Sequence, residues 1–170
     1  EFAPDKPINR EQFAALLIRA LGLPEKVQPQ QAPFRDVPES AGYSCAVAQA
    51  KAYGLITGYQ DGTFRPGKPI NRFEAFVMFS RAMKLAGLQS EVTVTTANST
   101  LSRFADGQDV AGWARPAVAA TVQSGLVRGL GDMLLPNKTI TRAETAAILH
   151  RDSFKGNKTS VILTERKGKN

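Results

Sequence analysis

The chain has 170 residues, of which 42% are hydrophobic and 22% are charged, and its formal net charge at pH 7 is +7. These fractions are those of an ordinary globular protein and indicate no catalytic class. Cys45 is the only cysteine, which excludes an intramolecular disulfide and a cysteine-based metal cluster. No apolar run approaches the ~18 residues that a membrane helix requires, so the sequence predicts no membrane insertion.

The positive charge is concentrated at the end of the chain. Residues 151–170 hold six basic side chains against two acidic ones, which accounts for more than half of the net charge. The remaining residues therefore have a mixed surface rather than the basic face of a nucleic-acid-binding protein. We predict no nucleic-acid partner, and the alternative that the basic tail itself binds DNA or another anionic surface stays open.

Three segments share one pattern. A β-branched residue, a capping residue and an arginine precede an apolar stretch at residues 8–10, 70–72 and 140–142. In each copy a second arginine follows nine residues after the first. Because this spacing recurs, we interpret the chain as three versions of one repeated unit.

The first unit contributes a single predicted helix. Its apolar residues recur at helical spacing from the cap at Asn9 to about Leu21, and Gly22 ends it. The prolines and glutamines of residues 23–33 predict a connector.

The second unit is complete. It contains a first helix over residues 41–53, a tight turn at Asp61-Gly62 between short extended pieces, and a second helix over residues 71–85. The third unit repeats this order after a connector at residues 88–103, in which residues 91–96 predict at most one short exposed strand.

The order of these motifs resembles a known repeat. The motifs are Phe-x-Asp-Val at residues 34–37, Gly-Leu-Ile-x-Gly-Tyr-x-Asp-Gly-Thr-Phe-Arg-Pro at residues 54–66, and Ile-Thr-Arg-Ala-Glu at residues 140–144. Together they are similar to the S-layer homology (SLH) repeat of bacterial surface proteins. The match is close in the second unit, good at both ends of the third, and limited to the second half of the repeat in the first.

The resemblance divides the chain into five parts. They are the second half of SLH repeat 1 with its connector, SLH repeat 2, a linker, SLH repeat 3 and a basic tail, at residues 1–33, 34–87, 88–103, 104–154 and 155–170. Because the chain starts within a repeat, we expect the missing first helix of repeat 1 upstream of Glu1.

The resemblance also implies a fold and a function. The expected fold is mainly α, a pseudo-threefold, three-pronged helical bundle with short extended crossover segments. Its inter-repeat grooves are expected to bind an anionic secondary cell wall polysaccharide, often through a pyruvylated sugar, and so to anchor a secreted protein at the cell wall or in an S-layer. We predict no enzyme activity and no cofactor or metal, since no catalytic, phosphate-loop or dinucleotide pattern is visible.

The three motif arginines, Arg10, Arg72 and Arg142, are the main candidates for carbohydrate binding. A cation in the first turn opposes the helix dipole, so a nearby negative charge should compensate the charge of each arginine. An anionic ligand would do so, because free helix amides and a guanidinium suit a carboxylate. The alternative is that each arginine pairs with an acidic residue of the fold, such as Asp36, Asp61 or Asp106. In the family this arginine is a ligand-contacting position.

Other candidates carry two interpretations each. Gly58 and Gly129 allow a close backbone approach, which suits sugar recognition or packing. Tyr59, on the crossover turn, is a candidate for ligand contact, and Trp113 is either a sugar-stacking residue or a core residue.

The capping residues and the remaining basic residues have mainly structural interpretations. Asn71 and Thr141 are also candidate binding residues. Each is followed three residues later by a glutamate, Glu74 or Glu144, and this pattern favours a capping box. The second arginines should face away from the motif arginines and be structural or surface residues, and they are Arg19, Arg81 and Arg151. His150 is expected near the surface.

A second function remains open at this point. The chain could be a structural self-association or protein-docking module of a surface layer, because an incomplete first repeat leaves apolar surface to be covered.

Overall fold

The computed structural model describes residues 3–24, 33–88 and 91–150. Within these ranges the chain is mainly helical, as predicted, and contains isolated β-bridges instead of regular strands. The six α-helices of the described ranges, in chain order, are α1 Arg10–Leu21, α2 Ser44–Ala52, α3 Arg72–Leu85, α4 Val94–Leu101, α5 Arg115–Gln123 and α6 Arg142–His150. Two single-turn 3-10 helices, Gly107–Asp109 and Gly112–Ala114, precede α5. None of the helices in the described ranges is long and apolar enough to cross a membrane.

The residues before the three arginine-led helices form a closed ring of backbone hydrogen bonds. Ile8 N donates to Ile140 O at 3.1 Å, Ile140 N to Ile70 O at 3.0 Å, and Ile70 N to Ile8 O at 3.0 Å. The three isoleucines are at most 1% exposed and belong to the hydrophobic core. The starts of α1, α3 and α6 therefore converge. The pseudo-threefold arrangement of the whole bundle stays a prediction.

Capping boxes begin α3 and α6. The Asn71 side chain accepts a hydrogen bond from Glu74 N at 2.9 Å, and Thr141 Oγ1 accepts one from Glu144 N at 3.1 Å. Each glutamate in turn accepts a hydrogen bond from the backbone N–H of its capping residue. The capping interpretation of Asn71 and Thr141 is thus confirmed.

The repeats interlock through their helices. The first helix of repeat 2, α2, packs on α1 of repeat 1, and the first helix of repeat 3, α5, packs on α3 of repeat 2. Between α1 and α3, the rings of Phe13 and Phe79 meet edge to face, with their centroids 5.0 Å apart. Each repeat thus buries apolar surface against its neighbour as well as within itself.

Residues 91–96 do not form the predicted strand. Thr93 caps α4, its Oγ1 accepting a hydrogen bond from Thr96 N at 3.2 Å, and the helix packs on α5. Ala97 and Leu101, four residues apart on one face, are both 0% exposed. The β-propensity of the threonines is outweighed by a cap and by burial of this face. The predicted linker 88–103 therefore contains a core helix.

Other predicted boundaries differ by a few residues. The helix expected over residues 41–53 begins at Ser44 and ends at Ala52. The ends of α1 and α3 match the prediction, with left-handed Gly22 and Gly87 following them. The basic tail, Arg151 and residues 25–32 of the first connector lie outside the described residues.

Two aspartates hold the crossover segments. Asp36 accepts hydrogen bonds from Phe64 N at 2.8 Å and Arg65 N at 2.7 Å. Asp106, which is 7% exposed, likewise accepts from Leu134 N and Leu135 N, both at 2.7 Å. Arg65 and Leu135 have φ values of 56° and 52°, in the left-handed region that disfavours non-glycine residues. The aspartates therefore stabilise a strained backbone at equivalent places in the two repeats.

We expect Asp106→Ala to lower the free energy of unfolding by about 2–3 kcal/mol, because it leaves two amides without acceptors. Chemical denaturation monitored by circular dichroism measures the change. Asp109→Ala is the control, since Asp109 is exposed at the end of a 3-10 turn, and it should stay within about 0.5 kcal/mol of the wild type. Equal effects of the two substitutions would contradict the assigned role of Asp106.

Candidate functional site

Arg10 reaches from α1 into repeat 2. Its Nε donates to Phe64 O at 2.8 Å, its Nη1 lies 3.3 Å from Glu74 Oε1, and its side chain is 7% exposed. The acceptor Phe64 O belongs to the crossover segment that Asp36 holds. The cation thus leaves its own helix start and is compensated by the capping glutamate of the next repeat.

Arg72 makes the same connection between repeats 2 and 3. Its Nε donates to Leu134 O at 2.8 Å, and its Nη1 pairs with Glu144 Oε1 at 2.8 Å. Burial lowers the pKa of Arg72, while the charge of Glu144 acts in the opposite direction. An arginine stays protonated at neutral pH despite such a shift. The alternative of an acidic partner within the fold is confirmed for both arginines, but in each case the partner is a capping glutamate. The carboxylates that were expected bind backbone amides or Arg65 instead, and they belong to Asp36, Asp61 and Asp106.

Glu74 is the centre of a polar cluster. Its Oε1 accepts a hydrogen bond from Tyr59 Oη at 2.8 Å and lies 3.7 Å from Lys68 Nζ, and its Oε2 accepts from Asn71 N. The guanidinium of Arg10 also lies over the Tyr59 ring, 4.7 Å from its centroid. One carboxylate therefore caps a helix, neutralises Arg10 and orients Tyr59.

A cavity of about 110 Å³, which we call the first cavity, opens beside this cluster. It is lined by residues from three repeats: Arg10, Ile56, Thr57, Gly58, Tyr59, Glu74, Val77, Met78, Arg81 and Trp113. Four predicted binding residues, Arg10, Gly58, Tyr59 and Trp113, are thereby brought together.

Trp113 has the position of a surface aromatic. It is 67% exposed, so the alternative that it packs in the core is wrong. Its ring meets Phe73 edge to face at a centroid distance of 5.9 Å, which supports one edge of the indole. The chain thus presents a large aromatic surface to solvent at the first cavity.

The second cavity, of about 150 Å³, lies at the equivalent place between repeats 2 and 3. Arg72, Gly129 and Glu144 occupy the positions of Arg10, Gly58 and Glu74. Leu130 replaces Tyr59 and is 53% exposed. The residues that complete the lining are Val127, Arg128, Ala147 and Ile148. The two cavities share a charged pair but differ in aromatic character.

The two glycines line their cavities for a steric reason. A Cβ at Gly58 would overlap the Phe34 ring and lie 2.8 Å from Thr63 O. At Gly129 it would lie 2.6 Å from Phe104 Cε1 and 2.8 Å from Met133 O. The packing interpretation therefore accounts for both glycines, although both also line a cavity.

Arg142 lies outside both cavities. It begins α6 and is partly exposed, and within the described part of the chain its side chain has no acidic partner. Gln12 stands in repeat 1 where repeat 2 has Glu74, so a third Arg–Glu pair cannot form in this way. His150 ends α6 and is exposed, as predicted.

The most informative residue that the sequence interpretation missed is Arg81. It faces away from Arg72, as predicted, but it is partly buried and lines the first cavity with Arg10. The sequence feature that could have identified Arg81 is its spacing from Glu74, since residues seven apart share one face of a helix. Arg19, its counterpart on α1, is exposed as expected.

The chain matches a family model described as S-layer homology domain at residues 33–76 and 103–146. These segments include the crossovers of repeats 2 and 3 and the starts of α3 and α6. The family match thus covers part of the lining of each cavity, whereas Arg10 and Arg81 of the first cavity lie outside it.

Several curated proteins are similar to this chain over most of its length. They include an amylopullulanase from Thermoanaerobacterium thermosulfurigenes, 30% identical over 88% of this chain, and a cellulosome-anchoring protein from Acetivibrio thermocellus, 28% identical over 95%. A surface-layer 125 kDa protein from Lysinibacillus sphaericus is 33% identical over 83%. The chain spans 8%, 35% and 11% of the lengths of these relatives.

Proposed function

The chain belongs to the S-layer homology domain family, and we propose that its inter-repeat cavities bind an anionic secondary cell wall polysaccharide. The S-layer homology domain anchors proteins at the cell surface and is not a catalytic domain. Some relatives that carry the domain are enzymes, in which it is a small additional part. The location of the chain is the cell surface or cell wall. The proposed ligand includes a polysaccharide that carries pyruvylated sugars. The motif arginines are proposed to take part in binding it.

The observation that carries the proposal is the composition of the first cavity. Residues far apart in sequence, from three repeats, place two guanidiniums, two aromatic rings and a close backbone approach around one small space. Aromatic side chains offer flat apolar surface to the C–H face of a sugar ring, and a guanidinium suits its polar substituents.

Arg10 retains a donor for such a ligand. Its Nε and Nη1 are engaged with Phe64 O and Glu74, and its Nη2 has no acceptor among the described residues. A guanidinium carries five N–H donors, so Arg10 can bind a ligand oxygen without releasing Glu74. Arg72 uses all three of its nitrogens, the Nη2 contact with Arg128 O being long at 3.4 Å.

The cavity volumes support recognition of one sugar unit rather than a chain segment. Pockets that enclose drug-sized ligands measure ~300–1,000 Å³, whereas these two measure about 110 and 150 Å³. A chain end or a single branching sugar therefore fits the space.

We expect Trp113→Ala to weaken binding of purified anionic wall polysaccharide about tenfold, because it removes an exposed stacking surface without opening the core. Isothermal titration calorimetry measures the affinity. Val94→Ala is the control, since Val94 is 65% exposed and lines neither cavity. Unchanged binding by Trp113→Ala would contradict the proposal that the first cavity binds the polysaccharide.

A self-association module remains the second candidate. The exposure of Val94 and Leu130 favours it, because large apolar side chains on a surface can mark a docking face. Sedimentation velocity at increasing concentration distinguishes the two. A strict monomer that still binds polysaccharide would contradict self-association.

A further inference from the structure

The charges around the first cavity do not cancel. Among the described residues, two guanidiniums, those of Arg10 and Arg81, line it together with a single carboxylate, that of Glu74. Arg10 lies 3.3 Å from Glu74, and Lys68 lies 3.7 Å from the same oxygen. The carboxylate of Glu74 is therefore paired with Arg10 and Lys68 and not with Arg81.

Arg81 has a different environment. Its Nη1 donates to Leu55 O at 3.4 Å, a long hydrogen bond to a neutral carbonyl. Among the described residues it forms no ion pair with a carboxylate. Burial lowers the pKa of Arg81 with no opposing contribution from an acidic neighbour. A partly buried cation without a counter-charge is unfavourable, and an arriving anion would relieve that cost.

Taking the proposed function as its basis, we propose that Arg81 is the specificity-determining residue that selects a carboxylate-bearing sugar in the first cavity. Arg10 is then mainly a positioning residue that holds Glu74 and, through it, Tyr59. The helix-start arginine is the conspicuous residue of the sequence motif, yet its charge is already matched within the protein.

The lining of the cavity fits an acidic sugar. The planar fork of a guanidinium can donate two parallel hydrogen bonds to one carboxylate. Val77 and Met78, on the same helix as Arg81, and the aromatic rings of Tyr59 and Trp113 provide apolar contact for the ring atoms. A sugar whose carboxylate meets Arg81 would thus have its apolar face toward these side chains.

Two substitutions and two ligands test this. The protein variants are Arg81→Met, which keeps length and removes charge, and Arg81→Lys, which keeps charge but not the fork. The ligands are purified anionic wall polysaccharide and the same polymer after chemical reduction of its carboxyl groups to alcohols. Calorimetry measures all affinities, and thermal unfolding by circular dichroism establishes that each variant is folded.

We expect wild type to bind the reduced polymer about 10- to 100-fold more weakly than the native polymer, the range for a hydrogen-bonded charged group. Arg81→Met should bind both polymers equally, at the level of wild type with reduced polymer. Arg81→Lys should retain part of the preference. Arg19→Met, the same change at the equivalent exposed position of α1, should behave as wild type.

The outcomes separate this inference from the function on which it rests. If wild type prefers the native polymer and folded Arg81→Met keeps the same preference, Arg81 does not read the carboxylate, whereas polysaccharide binding stands. A preference that disappears when phosphate rather than carboxyl groups are removed would also overturn the inference. If wild type binds neither polymer, the proposed function itself fails. Should Arg81→Met not fold, full carboxylate preference in Arg81→Lys would overturn the role of the guanidinium fork.

Discussion

Arg72→Met should lower the free energy of unfolding by about 3–5 kcal/mol, the range for breaking a buried ion pair by removing one partner. Arg72 is 4% exposed, and its guanidinium connects the Leu134 carbonyl to the Glu144 carboxylate across a repeat boundary. Removing it leaves a buried carbonyl and a partly buried carboxylate without their donor. Urea unfolding of the wild type and the variant measures the difference.

The same pair can be tested as a cycle. Glu144→Gln should cost less than Arg72→Met, because the amide oxygen of glutamine can still accept the hydrogen bond from Arg72 Nη1. The double variant should lose less than the sum of the two, with a coupling energy of about 1–3 kcal/mol. Arg19→Met, on an exposed position, is the matched control. Additive effects would mean that the pair is not an energetic unit.

Leu101→Ala should lower the free energy of unfolding by about 3–4 kcal/mol, since truncating a buried leucine leaves a cavity in the core. Leu101 is 0% exposed at the end of α4, which packs on α5. Thermal and urea unfolding measure the change. The effect is expected to be global, because α5 in turn packs on α3 of the preceding repeat.

Val94→Ala is the internal control for this helix. Val94 is at the other end of α4 and is 65% exposed, so its truncation should cost no more than about 0.5 kcal/mol. A comparably small cost for Leu101→Ala would restore the interpretation of residues 88–103 as a linker.

The parts of the fold that were predictable from the sequence depend on local chemistry. The ends of α1 and α3 matched because capping residues and glycines act within a few residues of themselves. The capping boxes were predictable for the same reason, since Asn71 and Glu74 are three residues apart. The repeat itself was recognisable because its spacing recurs, and the family match confirms it for repeats 2 and 3.

Residues 91–101 were mispredicted because local preference and tertiary packing disagree there. Threonine and valine favour strands, yet the burial of Ala97 and Leu101 against α5 favours a helix. That partner lies later in the chain, and no pattern within the segment identifies it.

The capping residues and the recurring spacing are enough to predict where α1, α3 and α6 begin and that their three arginines hold equivalent positions. Tertiary packing selected the acidic partners of two of them, because Arg10 and Arg72 each pair with a glutamate of the following repeat, 64 and 72 residues away. It also placed Arg81 and Trp113, from different repeats, at one cavity. Spacing along a chain specifies the face of one helix, whereas the charge balance of a cavity depends on every element that lines it.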